Sequence, residues 1–409
     1  MISFCLIVKN EQGWISKCLE SLLPLASEVI LADTGSTDNT LPIAQNFPKV
    51  RSFEIPWENH FGNARNQTIQ KACEPWIFSF DADERIARKD IENFRKLIEL
   101  TDRDLNIEAI SIVRRDYVLN PSVSGFKPCV GEYPEEEMNY PGYYEERMTR
   151  IFRNAPHIRW SGSLHEMIDG SLRGQTLKSS LVFHHYGYLP EELERKKKRA
   201  LYEREGQRKI SQNPNDWKAQ FDLGIEYLSS QDYADSLPHF EKALQLSGPV
   251  EVIASNWGYA LMSLKKYDDA VRILNRCLSA HPEHHDSLLN LGTTFMRQSK
   301  WKDAIACFEK LLSSHPQSFL ALRNRGLCHS HETRFQEAES DFKNALELFP
   351  GFIEARLDLA SLKVATQDYS SAKTLTLQVL SANPKHPRGN QIIKFLHSAS
   401  AGPEGYKRS

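Results

Sequence analysis

The second half of this 409-residue chain repeats its pattern every 34 residues, and this period constrains the fold more than any other feature. Three series of small or turn-forming residues keep the interval. The series are Gly224, Gly258, Gly292 and Gly326, continued by Ala360; Ala270, Ala304, Ala338 and Ala372; and Pro282, Pro316, Pro350 and Pro384. Such a period is typical of stacked helical pairs, in which small residues let the helices approach closely. We therefore predict an all-α solenoid over residues 216–384.

The pattern resembles the tetratricopeptide repeat, with the motif L-G-x-x-Y beginning at Leu223. We predict five repeats over residues 216–384, followed by a capping helix and tail over residues 385–409. Such arrays present a concave surface that normally binds a peptide or a protein, so we expect a protein partner here. A purely supporting or dimerising role is the alternative.

Composition excludes two classes of protein. Hydrophobic residues make up 40% of the chain, charged residues 25%, and the net charge is −2. We expect no nucleic-acid partner, which would need a basic excess, and no membrane span, because no apolar run is long enough. The seven cysteines lack C-x-x-C spacing, which favours buried, reduced thiols in a cytosolic protein. We expect a bacterial, cytoplasmic location. A peripheral association with the inner membrane stays open.

Strand-like and helix-like segments alternate over residues 1–190, and residues 191–215 read as a charged linking helix. The strand-like segments are "SFCLIV", "EVILA", "VRSFEIP" and "WIFSF", and the helix-like ones are "GWISKCLESLLPLA", "TLPIAQNF" and "FGNARNQTIQKAC". This alternation predicts an α/β domain with a largely parallel sheet. Ligands of such sheets bind beyond the carboxyl ends of the strands.

Acidic residues follow two of these strands at that edge. Asp81 and Asp83 come directly after "WIFSF", and Asp33 follows "VILA". Residues two apart in an extended segment point to the same side, so Asp81 and Asp83 are expected to converge. Two convergent carboxylates suit a divalent cation that also binds phosphate oxygens, Mg²⁺ or Mn²⁺. A pair of capping or turn aspartates is the alternative.

Asp33 opens the segment "DTGSTDNT", in which Gly35 permits a tight turn. Such a loop can place an acid against a nucleobase or ribose while backbone N–H groups lie near phosphates. The alternative is a well-formed turn in which Asp38 only caps the next helix.

Several motifs together resemble the family 2 glycosyltransferases with the GT-A fold, in particular the branch that carries tetratricopeptide repeats. The motifs are "FCLIVKNE" at 4–11, "ILADTGSTDNT" at 30–40, "FGNARNQTI" at 61–69, "WIFSFDADE" at 76–84, "WSGSLHEMIDG" at 160–170 and "HHYGY" at 184–188. The resemblance implies an α/β GT-A-type nucleotide-sugar-binding domain over residues 1–190, followed by the repeats.

The activity implied by this resemblance is a metal-dependent, inverting transfer of a hexose or N-acetylhexosamine. The donor would be a nucleotide-sugar, UDP-linked by analogy, and the acceptor a saccharide, peptide or protein. Donor binding is carried over to Asn10, Glu11, Asp33, Arg65, Asn66 and Asp81. The cation, Mn²⁺ or Mg²⁺, is carried over to Asp81, Asp83 and His165, with His184 or His185 in reserve. Imidazoles packed in a polar interface are the alternative for these histidines.

An inverting displacement also needs a general base for the acceptor. Glu166 is the first choice and Glu84 the second, although Glu166 could instead pair with Arg147 or Arg150. The segment 120–147, rich in Pro, Gly, Tyr and Glu, is either an acceptor-side loop or a disordered surface insertion. A repeat scaffold with a decayed transferase half is the non-enzymatic alternative.

Overall fold

A computed structural model of the chain describes residues 2–119, 121, 125–137, 140–162, 166–187, 203–204 and 206–400. The chain forms two compact units, residues 1–196 and 197–409. Residues 191–202 of the predicted linking helix lie outside the described residues, whereas residues 206–212 are helical.

The first unit is built on a nine-stranded sheet. Its strands are β1 Ile2–Val8, β2 Glu28–Asp33, β3 Val50–Glu54, β4 Trp76–Phe80, β5 Glu84–Arg85, β6 Ile107–Val118, β7 Lys127–Pro128, β8 Gly142–Arg153 and β9 Gln175–His185. Their order is β3-β2-β1-β4-β8-β6-β9-β5, with β7 beside β8. Strands β1 to β4 are parallel, whereas β8 runs antiparallel to both β4 and β6.

The α/β class is therefore confirmed, but the sheet is mixed rather than largely parallel. The long strands β6 and β8 pair antiparallel and need no crossover helix between them, so the strand–helix alternation of the first 80 residues does not continue. The described helices of this unit are α1 Ile15–Leu22, α2 Thr40–Gln45, α3 Phe61–Ile69, α4 Ile91–Asp102 and α5 Pro134–Glu137.

The centre of the sheet is apolar on both faces, as expected for strands covered on two sides. Every residue of β4 is buried, and the rings of Phe4 and Phe78 stack with centroids 5.0 Å apart. Phe78 also meets Phe80 edge-on at 5.0 Å. This packing fixes the ends of β1 and β4, after which come the loops of Asn10 and of Asp81 and Asp83.

The strand order reverses between β1 and β4. From β1 the chain proceeds through β2 to β3 on one side, and then returns to β4 on the other side of β1. In open α/β sheets the crevice beyond the carboxyl ends of such strands is a ligand site. The loops after Val8 and after Phe80 border this crevice.

The second unit consists of helices in successive pairs, which confirms the predicted tetratricopeptide fold. After the helical residues 206–212, its described helices are α6 Trp217–Ser229, α7 Tyr233–Gln245, α8 Val250–Ser263, α9 Tyr267–Ala280, α10 His285–Arg297, α11 Trp301–Ser314, α12 Phe319–His331, α13 Phe335–Leu348, α14 Ile353–Ala365, α15 Tyr369–Ala382 and α16 Pro387–Ser400. Within the described residues, none of the helices is both long enough and apolar enough to cross a membrane.

The recurrent glycines lie where two helices of a pair touch. A Cβ atom added at Gly292 would lie 2.5 Å from the ring of Phe308, and one added at Gly258 would lie 2.6 Å from the side chain of Leu274. In the fifth pair the glycine position is Ala360, and the residue facing it in the same register is the smaller Thr376. The size of the facing side chain therefore explains where glycine is needed.

Candidate active site

The loops after β1 and β2 are tied to each other by hydrogen bonds. The N–H of Asn10 donates to Ser36 Oγ (2.9 Å), and Asn10 Oδ1 accepts from the N–H of Thr37 (2.8 Å). The N–H of Glu11 donates to Thr40 Oγ1 (2.6 Å). Asn10 and Glu11 thus lie at the predicted edge of the sheet, where they shape both loops. Their contact with a donor stays a prediction.

Asp33, the last residue of β2, is only 3% exposed. Its Oδ1 accepts from the N–H groups of Gly35 (2.8 Å) and Ser36 (2.7 Å), and Gly35 has a φ of +103°, which favours glycine. Asp38 is not the N-cap of α2, which is Asn39; its Oδ1 accepts from the N–H of Thr40 (3.0 Å) and its Oδ2 from the N–H of Gln12 (3.2 Å). The geometry assigns Asp33 to the turn, and its binding of base or ribose stays a prediction.

Asp81 is held between two arginines that come from different elements. Arg65 on α3 donates from Nη2 to Asp81 Oδ1 (2.7 Å), and Arg150 on β8 donates from Nη2 to Oδ2 (3.1 Å). Burial alone would raise the pKa of Asp81, but Arg65 and then Arg150 outweigh it and hold the pKa below its usual range. Both carboxylate oxygens therefore already face a cation, and Asp81 is the anionic centre of this network.

The two candidate bases belong to the same network. Glu84 is fully buried; its Oε2 accepts the N–H of Asp81 (2.8 Å), and its Oε1 lies 3.3 Å from Arg150 Nη2. Burial raises the pKa of Glu84 to about 7, against the opposing effect of Arg150. Glu166 accepts from Arg65 Nε (2.7 Å), so its arginine partner is Arg65 rather than Arg147 or Arg150.

Asp83 faces His185, the last residue of β9. Asp83 Oδ2 lies 3.4 Å from His185 Nε2, and His185 Nδ1 lies 2.5 Å from Asp116 Oδ1. Asp116 on β6 is itself buried and paired with Arg114 at 2.9 Å. Burial opposes protonation of His185, but Asp83 and Asp116 together raise its pKa to about 10. A chain of four charged groups thus leads from Arg114 through Asp116 and His185 to Asp83.

The Asp83–His185 pair fits a divalent cation. Two ligands bound at right angles about 2.1 Å from one ion lie about 3 Å apart, close to the 3.4 Å between Oδ2 and Nε2. A carboxylate on the far ring nitrogen, as Asp116 provides, is the usual partner of a metal-binding imidazole. Across the described parts of the chain, no three His, Cys, Asp or Glu side chains form a fuller set. Most coordination positions would therefore remain for ligand oxygens and water.

Three other predicted residues are placed differently. Asn66 hydrogen-bonds both main-chain groups of Trp160, with its Nδ2 and Oδ1 each at 2.9 Å, so its side chain fastens α3 to a loop. His184 is buried against Tyr117 Oη (2.9 Å), and burial lowers its pKa to about 3. His165, the first choice for the metal, lies outside the described residues. Of the two reserve histidines, only His185 reaches Asp83.

The sequence analysis did not assign functions to Arg150, Asp116 or Arg114. Their signal is charge inside otherwise apolar strands: "IVRRDYV" in β6 and "MTRIF" in β8. A buried charge requires a partner, so such residues point to a polar network in the sheet. Which acid each arginine meets depends on the β4–β8–β6 pairing, which the sequence does not specify.

The family comparisons agree with this division into two units. Residues 3–164 match the profile described as Glycosyl transferase family 2. Tetratricopeptide repeat profiles match residues 221–285, 255–298, 289–351 and 331–393. The chain joins a family 2 glycosyltransferase domain to tetratricopeptide repeats. The matched region contains Asp81, Asp83, Glu84 and both arginines of the acidic network, whereas Glu166 and His185 follow it within the same compact unit.

Three curated relatives match parts of the chain. A TPR repeat-containing protein of Synechococcus elongatus is 30% identical over 196 residues, 46% of this chain and 42% of that protein. The SPbeta prophage-derived glycosyltransferase SunS of Bacillus subtilis is 31% identical over 191 residues, 46% and 40% of the two chains. The lipopolysaccharide core biosynthesis glycosyltransferase LpsC of Rhizobium meliloti is 30% identical over 122 residues, 29% and 43%. The chain thus spans less than half the length of each.

Proposed function

We propose that this protein is an inverting glycosyltransferase that moves a sugar from a UDP-linked donor to a saccharide, peptide or protein acceptor. The observation that carries the proposal is the Asp83–His185 pair at the carboxyl edge of the sheet, two residues after Asp81, which two arginines hold. The family 2 domain and the two relatives named as glycosyltransferases support the same class. The name of the Rhizobium meliloti relative favours a saccharide acceptor.

The nucleoside would bind beside the loops after β1 and β2, with Asp33 and Asn10 shaping its pocket. Asp81 would bind the ribose, because Arg65 and Arg150 fix its carboxylate beside the crevice. A fixed carboxylate can accept hydrogen bonds from hydroxyl groups without paying for reorganisation when the donor arrives. Arg65 would then act through Asp81 rather than by contacting the donor.

Asp83 and His185 would hold Mn²⁺ or Mg²⁺, and the cation would neutralise charge on the leaving diphosphate. The nitrogen ligand favours a transition metal such as Mn²⁺ over Mg²⁺, which prefers an all-oxygen shell. Asp81 contributes little to this cation in our proposal, since an arginine faces each of its oxygens.

Glu166 remains the candidate base. Its side chain is 14% exposed, whereas that of Glu84 is 0% exposed. An acceptor hydroxyl can therefore approach Glu166, but not Glu84, without rearrangement. We further propose that the repeats bind the acceptor or a protein partner, and that the protein works in the cytoplasm.

The test is release of nucleoside diphosphate from a panel of nucleotide-sugars, with Mn²⁺, Mg²⁺ or EDTA. We expect turnover with one donor that EDTA abolishes and that Asp83→Ala and His185→Ala reduce at least about a hundredfold. His157→Ala is the matched control, because His157 also pairs with a carboxylate of this domain, Glu108, at 2.9 Å. If no nucleoside diphosphate is released or bound under any condition, the non-catalytic scaffold replaces this proposal.

A further inference from the structure

Glu166 lies on a loop whose two branches are paired with each other. We call residues 160–162 and 166–168 the Glu166 loop. Ser161 and Met167 form an antiparallel bridge across it: the N–H of Ser161 donates to the carbonyl oxygen of Met167 (2.9 Å), and the N–H of Met167 to that of Ser161 (3.0 Å). The branch that carries Glu166 therefore follows the other branch, and whatever fixes one fixes both.

Asn66 attaches the first branch of this loop to helix α3. Its Nδ2 donates to the carbonyl oxygen of Trp160, and its Oδ1 accepts from the Trp160 N–H, both at 2.9 Å. Two hydrogen bonds to one residue fix the orientation of its main chain as well as its distance, as the paired bonds of an antiparallel ladder do. The Asn66 amide thus takes the place of a neighbouring strand for Trp160.

Gly62, one helical turn before Asn66, lets the loop approach α3 closely. Its N–H donates to the carbonyl oxygen of Gly162 (3.2 Å). A Cβ atom at Gly62 would lie 2.7 Å from that oxygen, which is closer than side-chain carbons approach other atoms. Gly162 itself has a φ of +101°, which favours glycine. This pair of glycines therefore determines how near the Glu166 loop comes to the helix.

Arg65 connects the same face of α3 to Glu166 itself. The buried guanidinium donates from Nη1 to Ser79 Oγ (2.9 Å), from Nη2 to Asp81 Oδ1 (2.7 Å) and from Nε to Glu166 Oε1 (2.7 Å). Three directional contacts leave the planar guanidinium a single orientation. The Glu166 carboxylate is thus held in direction by this arginine and in position by the distance between the loop and the helix.

We propose that Asn66 and Gly62 are positioning residues that place Glu166 to accept the proton of the acceptor hydroxyl. This role rests on the proposed function, in which Glu166 is the general base, and deepens it. A base acts only within hydrogen-bonding reach of the proton that it removes, and a misplacement of about 1 Å can cost about a hundredfold in rate. Asn66 then acts through the Glu166 loop and not by contact with the donor.

The experiment measures kcat and the donor KM for nucleoside diphosphate release by the full chain with Mn²⁺. The donor is the one that the panel of nucleotide-sugars identifies, and water takes the place of the acceptor hydroxyl. Asn66→Leu removes both hydrogen bonds to the loop at similar side-chain size. Gly62→Ala pushes the loop away while alanine favours the helix, so a weaker helix could not explain a loss. Glu166→Gln, alone and combined with Asn66→Leu, completes the set.

Two matched controls make the same changes elsewhere in this domain. Asn154 also fastens two segments, because its Nδ2 donates to the carbonyl oxygens of Ala72 (2.9 Å) and Glu74 (3.1 Å), but it does so just before β4 begins. Asn154→Leu is therefore the control for Asn66→Leu. Gly170→Ala is the control for Gly62→Ala, since among the described residues no atom lies within 4 Å of a Cβ added at Gly170. Circular dichroism checks that each variant is folded.

We expect Asn66→Leu to lower kcat about tenfold to a hundredfold and Gly62→Ala about tenfold, with the donor KM changed less than about twofold. Both controls should keep kcat within about twofold of the wild type. Glu166→Gln should lower kcat about a hundredfold, and adding Asn66→Leu to it should bring no further loss, because two residues that act through one group are not additive. Hydrogen exchange should show the Trp160 N–H losing protection in Asn66→Leu.

Several results would overturn this role and leave the transferase proposal standing. Equal losses of kcat in Asn66→Leu and Asn154→Leu would make Asn66 a structural residue only. A raised donor KM with unchanged kcat, or a further loss on adding Asn66→Leu to Glu166→Gln, would mean that Asn66 acts on the donor. Unchanged kcat in Glu166→Gln would remove the base that Asn66 is proposed to position. If the wild type releases no nucleoside diphosphate from any donor, the proposed function itself fails, and this inference fails with it.

Discussion

The two units bring charges together in different ways. In the family 2 domain, Arg65, Asp81, Glu84, Arg150 and Glu166 form one branched network at a single edge of the sheet. In the repeats, buried acids form small bridges between helices: Asp341 pairs with Arg325 at 2.6 Å, and Asp358 lies 2.6 Å from both Arg323 and Arg388. One arrangement concentrates charge and the other distributes it.

This difference distinguishes a ligand-binding site in the family 2 domain from structural ion pairs in the repeats. A buried ion pair often contributes little net stability, because desolvation offsets the attraction, so stability alone does not explain a concentrated network. The network lies where the strand order reverses, which is where a ligand is expected. The bridges of the repeats instead join neighbouring helices, and the main packing there comes from apolar contacts at a fixed interval. The predictions below test this contrast.

The largest expected effect is that of Arg150→Met. The change leaves fully buried Glu84 without its cation and Asp81 with Arg65 alone, and we expect the family 2 domain to lose about 3 kcal/mol of unfolding free energy. Arg323→Met in the repeats should cost about 1 kcal/mol or less, since Asp358 retains Arg388. Hydrogen exchange of the full chain, read separately in β4 and β8 and in α12 and α14, measures both. Equal losses of unfolding free energy in the two units would mean that the concentrated network and the isolated bridges contribute alike.

A smaller effect is expected from packing in the fifth repeat. Thr376 is fully buried and takes the position that Phe308 and Phe342 occupy in the two preceding repeats. Thr376→Phe should therefore overpack against Ala360 and cost about 2 kcal/mol. Adding Ala360→Gly recreates the glycine–phenylalanine pair and should restore at least half of the loss, measured by hydrogen exchange in α14 and α15. If the double variant is no more stable than Thr376→Phe, the facing residue does not determine where glycine occurs.

The sequence predicts the structure of the repeats more completely than that of the family 2 domain. The repeats could be read almost completely, because each glycine, alanine and proline recurs in register and each contact is local. Their turns were not foreseen: Gln231, Lys265, Ser299, Thr333 and Gln367 adopt left-handed φ values of 58° to 64° without being glycine. Here the hydrogen bonds that close each helix, such as Lys266 N–H to Leu261 O (2.9 Å), outweigh a modest backbone cost.

For the site, the sequence identified Asp33, Asp81, Asp83 and Glu166 as candidate residues but did not predict which residue each of them contacts. Pairing depends on β8 and β9, which approach β4 and β5 from far along the chain. The expected convergence of Asp81 and Asp83 on one cation shows how little local spacing says about long-range contacts. Residues two apart can point to one side, but here Arg65 and Arg150 pair with Asp81, whereas His185 faces Asp83.

Gly292→Ala tests the close approach of helices with a single methyl group. A Cβ atom there meets the Phe308 ring at 2.5 Å, and the ring must shift. Overpacking should exceed the gain that alanine brings to a helix, for a net loss of about 1 kcal/mol. Gly170→Ala in the other unit, where no atom lies within 4 Å of the added Cβ, should change stability by less than about 0.5 kcal/mol. Similar losses at both sites would mean that backbone freedom, rather than contact, explains the recurrent glycines.

The smallest expected effect is a pH dependence confined to the repeats. His329 on α12 is 4% exposed, its Nδ1 has no hydrogen-bond partner among the described residues, and burial followed by Arg334 lowers its pKa. Because the unfolded chain binds a proton near pH 6.5 that the folded repeat resists, the stability of α12 and α13 should fall as pH drops below about 6.5. Protection factors from hydrogen exchange at pH 7.5 and 5.5 measure the change, which should be less than about 1.4 kcal/mol per pH unit. His329→Gln should flatten the profile of these helices alone. If the pH profile of His329→Gln is the same as that of the wild type, then Asp341, 3.8 Å from His329 Nε2, already stabilises the protonated imidazole in the folded repeat.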